Sequence, residues 1–413
     1  MRFLRERVGP LSRERLRTIA ARSGWLIETP DTLRAGFGDA VDVLTLTGGL
    51  GERTDVRSLL RRHDLRGDDG PAGTGVVALG ALPFDREAPG RLEVPRYLIT
   101  QTRDEGAWLT SLEGSSPYGE WIAREGAPTQ EAQSLRSLTY QPTPDEYAHK
   151  VAQAVELLRS KEIDKVVLAR AVLGTVPEPL DAAAIAARLR LREPICTIYS
   201  LPTADGRRFV GATPELLAQR RGAIVRCHPL AGTIALPPHV APDDYETWLL
   251  GSTKNLHEHG VVVDDVVQLL GRYYDDITVD ATPSIVALRT VAHLGTRITA
   301  ARTAGEDVPD ALDVLRLLHP TAAVGGMPRD AACQLIVRLE QFDRGNYAGP
   351  VGWIDQGGDG EWWIGIRGVL VNGTAFEAWA GAGIVSESDP IAEREETKDK
   401  LASVLSSVLV ERV

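Results

Sequence analysis

Strand-forming and helix-forming segments follow one another along this chain without a regular strand-helix-strand period, and that irregularity limits the possible folds more than any other feature. PTPDEYAHKVAQAVELLRS predicts a helix. Thr143 is placed to be its N-cap, Pro144 sits at the first helical position, Glu146 closes a capping box, and Tyr147, Val151, Val155 and Leu158 recur at helical spacing. A short connection leads into DKVVLARAVLG, a β-branched run, and further strands are expected in FVGATPELLAQRR and AIVRCHPLAGT. A second long helix is expected over about Asp243 to Leu270, with Val262, Val266 and Leu269 on its buried side. Such mixing points to a layered α+β architecture and away from a doubly wound sheet or a barrel. The chain has 413 residues, 43% of them hydrophobic, enough for one oversized domain or two intimate ones. Residues 1–140 are richer in polar turns such as GGLGER and RGDDGPAGTG, so the border between an N-terminal part and a second part, 141–413, is placed near Gln141.

The net charge of −11, with no long block of Lys or Arg, argues against nucleic acid or an anionic membrane as partner, so an anionic substrate needs locally concentrated positive charge. Three widely spaced cysteines, Cys196, Cys227 and Cys333, form neither a disulfide framework nor a zinc pattern, which suits a reducing cytoplasm. The basic N-terminus lacks an apolar core of signal-peptide length, and no run of about 18 apolar residues occurs, so a soluble cytoplasmic protein is expected.

Several residues invite a chemical reading beside a structural one. Asp389 and Pro390 suit the N-cap and first turn of a helix, which puts Glu393 and Glu396 on one face, where two carboxylates can grip a hard cation such as Mg²⁺ or face solvent. Lys165 enters an apolar strand, either as a partly desolvated general base or as an ion-paired strand-entry lysine. Glu215 follows Pro214 between two apolar runs; buried, it is paired or protonated, and a protonated Glu is a general acid, whereas at a loop end it is a surface charge. Arg367 interrupts the apolar WWIGIRGVL, as a structural ion pair or a clamp for an anion. Gly381 and Gly383 allow backbone N–H groups to approach a carboxylate, or simply let strands pack. GGLG at Gly48 to Gly51 completes no nucleotide loop and reads as a turn. His257 and His259 lie two apart, on opposite sides of a helix, and cannot share a metal.

In order along the chain, KVVLAR, TPELL, PLAGTI, EHGVVVDDV, HLGTRI, LHPTAAVGGMPR, GNYAGPVGW, GIRG, GAGIV and EREETKDK resemble the motifs of the chorismate-utilising enzymes: the isochorismate, salicylate, anthranilate and aminodeoxychorismate synthases. The resemblance covers about Lys165 to Lys400 and is looser before Gln141. It implies a large layered α/β sandwich around antiparallel sheets, as in the anthranilate synthase component I fold. HPTAAVGGMPR resembles the isochorismate synthase version of its segment, Ala231 stands where aminodeoxychorismate synthases carry a lysine nucleophile, and no glutamine amidotransferase segment is present. These features imply an isochorismate synthase, converting chorismate to isochorismate for menaquinone or a siderophore, with salicylate synthase as the alternative.

Carried over residue by residue, the resemblance implies Lys165 as the base for water attacking ring C2 and Glu215 as the acid for the departing C4 hydroxyl. It implies Glu258, Glu393 and Glu396 as ligands of Mg²⁺, and Tyr347 and Arg367 as the clamp on the enolpyruvyl carboxylate. Gly381 and Gly383 would add backbone donors, with Gly232, Thr233, His293, Thr321 and Lys400 as further pocket residues. Asn255 departs from the family, which commonly has an acidic residue there, three positions before Glu258.

Overall fold

The structure, a computed structural model, describes residues 1–124, 130–236, 242–303 and 308–410. Among the described residues, hydrogen-bonded pairing links twenty strands into one continuous sheet system, and a separate three-stranded sheet joins Leu230–Ala235, Ser284–Ala287 and Val291–Gly295. Every ladder between named strands is antiparallel except the one pairing Arg2–Val8 with Asp64–Gly67. The architecture is therefore the layered α+β sandwich expected. Strands on either side of Gln141 share the large sheet: Trp25–Glu28 pairs with Thr197–Pro202, and Val77–Ala81 with Pro350–Asp355.

The strand Lys165–Thr175 organises the site. It pairs with Ala375–Ile384 in a register that sets Val167 opposite Gly383 and Ala169 opposite Gly381, while Met327 lies opposite Lys165. Because side chains alternate across a strand, Val166 and Leu168 face one side and Lys165 and Val167 the other. Helices Pro144–Leu158 and Arg329–Glu340 cover the first side through Tyr147, Val151, Leu335 and Ile336, leaving the second for chemistry. Helix Pro144–Leu158 carries the capping box of Thr143 and Glu146, and burial of Val151 and Leu158 contributes on the order of 1.5–3 kcal/mol each.

A buried ion pair braces this strand. Arg344 binds Glu340 at 2.5 Å and also donates to the carbonyls of Val167 (2.7 Å) and Val324 (2.8 Å), while Glu340 accepts the Ala169 N–H at 2.7 Å. One pair thus fixes the site strand against the 321–325 turn.

Three expected elements are divided. The helix expected over Asp243 to Leu270 is two, Pro242–Gly251 and Thr253–Leu270, because Ser252 caps the second by accepting the Asn255 N–H. FVGATPELLAQRR breaks into Arg208–Thr213 and Leu216–Arg221 at Pro214 and Glu215, and AIVRCHPLAGT breaks at Pro229 into strands of different sheets. Proline has no N–H for a ladder, so the chain turns at each one. No helix among the described residues is long and apolar enough to cross a membrane.

Candidate active site

Lys165 opens its strand wholly buried, with Nζ 3.1 Å from Glu258 Oε1 on helix Thr253–Leu270. The pair lacks hydrogen-bond alignment, so Nζ has no hydrogen-bond partner among the described residues. Burial opposes ionisation of Glu258, yet Lys165 and Lys254 together hold its carboxyl below the ordinary range. Gly383 makes room for this pair: a Cβ there would lie 2.0 Å from Glu258 Oε1 and 2.8 Å from Lys165 Cε. Any side chain at Gly383 would displace the pair.

Glu215 sits where the Pro214 break exposes the strand end to the same cavity. It is 4% exposed, and burial lifts its carboxyl from 4.5 to about 7, against the opposing pull of the Leu230 N–H, Lys165 and Lys400. At neutral pH it retains a substantial protonated fraction, the state a general acid needs. Glu215 thus lines the cavity directly, whereas Lys165 stands beneath its wall, reaching it through Glu258 and beside Gly383, which both line it.

Tyr347, Arg367 and His293 line the same cavity. Arg367 adopts φ +52°, a left-handed conformation uncommon for a residue with a side chain, and its Nη1 is buried with no partner among the described residues. Its Nη2 donates to His293 Nε2 at 3.0 Å. His293 is held neutral, its pKa driven well below the usual value by burial, Arg367 and Lys400. An Nε2 that accepts from arginine puts the ring proton on Nδ1, which lies 3.0 Å from Thr233 Oγ1. Tyr347 stacks on Trp379 with centroids 5.8 Å apart, and burial lifts its phenol to about 12, so it remains a neutral O–H donor. Lys400 donates to the Gly381 carbonyl at 2.9 Å and to Glu396 at 2.6 Å.

The remaining expected residues do not line this cavity themselves but support elements that do. Gly232, at φ +70°, lets its strand approach helix Thr253–Leu270, where a Cβ would lie 2.9 Å from the Asn255 carbonyl. Thr321 does not line the cavity but accepts the Val324 and Gly325 N–H groups in the turn that presents Ala323 and Val324 to it. Glu393 and Glu396 lie behind Lys400 on helix Pro390–Leu405, capped by Asp389 as expected. His257 is exposed and His259 buried, on opposite sides of their helix.

Each acidic residue expected to bind metal meets a lysine: Glu258 meets Lys165, Glu396 meets Lys400, and Glu393 meets Lys254 at 2.5 Å. Among the described residues no three His, Cys, Asp or Glu side chains are gathered closely enough to hold an ion. The positive charge in this region comes from lysine. Burial and the charge of Glu396 push Glu393 up to about 7, while Glu393, Glu258 and Glu396 all act to raise Lys254 against its burial. The Lys254 ammonium thus stands in the field of the three carboxylates.

Lys254 and Trp379 escape the sequence reading. Lys254 lies in the first turn of its helix, where a cation opposes the helix dipole, and that misplacement is the available signal. Trp379, one apolar residue among several in its strand, gives none.

A family model described as chorismate binding enzyme matches residues 30–409. A Mycobacterium tuberculosis protein, provisionally named isochorismate synthase MenF, is 37% identical over 353 residues, covering 83% of this chain and 88% of that protein. Isochorismate synthase EntC of Escherichia coli is 33% identical over 333 residues, 80% of each chain. The structure of MenF, the menaquinone-specific isochorismate synthase from Escherichia coli, aligns with a TM-score of 0.82 at 27% identity, over 99% of this chain and 94% of that one. The matched span contains Lys165, Glu215, Glu258, His293, Arg367 and Lys400, every group just described around the cavity; this chain belongs to the chorismate binding enzyme family.

Proposed function

We propose that the chain is an isochorismate synthase, in which water adds at ring C2 of chorismate and the C4 hydroxyl leaves. The observation that carries this reading is a buried Glu215, lifted to about 7, on a cavity whose wall also includes Glu258, the ion-pair partner of Lys165. Addition of water and loss of hydroxide at separate carbons need one group that takes a proton and another that gives one. In the reaction Lys165, as the free amine, takes the proton of the attacking water, and Glu215 gives its proton to the departing oxygen. Arg367 Nη1, with no protein partner among the described residues, and the Tyr347 hydroxyl are placed to receive a substrate carboxylate. Neutral His293 holds Arg367 in place without adding a competing positive charge.

Glu258, Glu393 and Glu396 would hold Mg²⁺, whose charge would offset the repulsion between these carboxylates and the carboxylate on the ring. Lys254 occupies part of that field in this structure and has to yield for the ion. Ala231 on the cavity wall offers no amine for a covalent adduct, and the reaction consumes no ammonia, so no amidotransferase partner is required. Buried, unpaired Cys196 and Cys227 suit a reducing cytoplasm.

The reaction run in oxygen-18 water tests the mechanism. Addition of solvent water puts one labelled oxygen into isochorismate formed from unlabelled chorismate. Unlabelled product in the first turnovers would mean that the original hydroxyl migrates, and the roles of Lys165 and Glu215 would fall.

A further inference from the structure

A second cavity, of about 650 Å³, lies apart from the active site, at the other end of helix Thr253–Leu270 from the segment bearing Glu258. Arg272 lies fourteen residues beyond Glu258, roughly 21 Å along a helical path. Among the described residues the wall carries five arginines, Arg53, Arg86, Arg272, Arg316 and Arg329, beside Arg302, which has a partner of its own, and one acidic side chain, Asp313. In a chain of net charge −11 this is a concentration of the opposite sign.

Two features distinguish it from a surface where arginines merely brace the chain. Arg316 and Arg329 donate to backbone carbonyls of Thr54, Leu317 and Leu318, which holds their guanidinium groups in place but neutralises no charge. Asp313 is already shared by Arg53 and Arg316. The other feature is polar groups left unmatched: the hydroxyl of Tyr274, a residue only 4% exposed, and Nε of Arg86 are buried without a partner among the described residues. A buried donor without a partner is costly, and a wall that keeps two of them beside arginines held by backbone carbonyls is built for acceptors that arrive with a ligand. The volume lies within the range of small-molecule sites. The GGLG turn, which completes no nucleotide loop, serves as part of this wall: Leu50 and Gly51 both donate to the Arg86 carbonyl and thereby fix the Arg86 backbone.

We propose that this cavity binds a small organic polyanion, one bearing at least two carboxylate or phosphate groups, at a site separate from the chorismate site. Inorganic pyrophosphate and citrate are the probes, titrated calorimetrically into the full-length protein at low ionic strength, where screening is weakest. Saturable binding of at least one is expected, and the tighter of the two identifies phosphate or carboxylate as the preferred group. Arg53 and Arg272 are exposed, so Arg53→Glu with Arg272→Glu should leave chorismate turnover unchanged and weaken the anion by at least about tenfold. Tyr274→Phe deletes only the unpartnered hydroxyl and should weaken it about threefold, which keeps the test open if the double variant misfolds. Arg367→Ala, which dismantles the active-site clamp, should leave anion binding intact. No saturable binding by about 10 mM of either probe, unchanged affinity in both cavity variants, or loss of binding in Arg367→Ala would each overturn the proposal.

Discussion

Replacing Glu215 by Gln should make the protein more stable and far less active, with the stability gain depending on pH in a calculable way. Gln keeps the shape of the side chain and an oxygen to accept the Leu230 N–H, but it cannot ionise. In the folded state burial lifts Glu215 from 4.5 to about 7. At about 1.4 kcal/mol for each tenfold change in proton affinity, this corresponds to about 3 kcal/mol. The sign follows from linkage: between these two pH values the folded chain binds the proton more tightly than the unfolded chain, so stability falls as pH rises. The stabilising contribution of the protonated group is fully present below 4.5 and lost as pH climbs through about 7. Urea unfolding of both proteins in chelator, from pH 5 to 8.5, should therefore show Glu215→Gln gaining on the wild type by up to about 3 kcal/mol toward the alkaline end. Chorismate turnover by the same variant should fall by about 10²–10⁴-fold, and wild-type kcat/KM should decline above about pH 7. Parallel stability curves, or turnover near wild type, would refute the assignment of Glu215 as a buried acid.

Gly383→Ala places a methyl group 2.0 Å from Glu258 Oε1; steady-state kinetics should show turnover reduced at least about a hundredfold, with circular dichroism close to wild type. Arg344→Met leaves Glu340 buried and unpaired and should cost about 3–5 kcal/mol in denaturant titration, partly recovered by adding Glu340→Gln. Arg367→Ala should raise KM for chorismate at least about tenfold while lowering kcat much less, because a carboxylate clamp acts on ground and transition states alike.

Local chemistry was legible in the sequence wherever a residue's neighbours along the chain decide its conformation. Thr143 with Glu146, and Asp389 with Pro390, cap their helices as read because a cap is settled within four residues. The breaks at Ser252, Pro214 and Pro229 were equally local, but unbroken apolar periodicity on either side concealed them. What lies beyond a single sequence is contact between distant segments. Lys165 meets Glu258, and Glu393 meets Lys254, only because strand pairing and helix packing bring them together. The tautomer of His293, set by Arg367 across 74 residues, and the stacking of Trp379 on Tyr347 are of the same kind. The resemblance to chorismate-utilising enzymes supplied candidate roles that spacing alone left open, and the fold then showed which of those residues share a cavity.

Product analysis tests the central claim most directly. The purified protein, supplied with chorismate and Mg²⁺ near neutral pH, is followed by chromatography together with an enzymatic assay for pyruvate. Substrate and product differ only in where one hydroxyl sits, so the account predicts approach to a mixture of chorismate and isochorismate from either direction, with little pyruvate or salicylate on that timescale. Pyruvate released at the rate of chorismate loss, or chorismate left unconsumed, would contradict it.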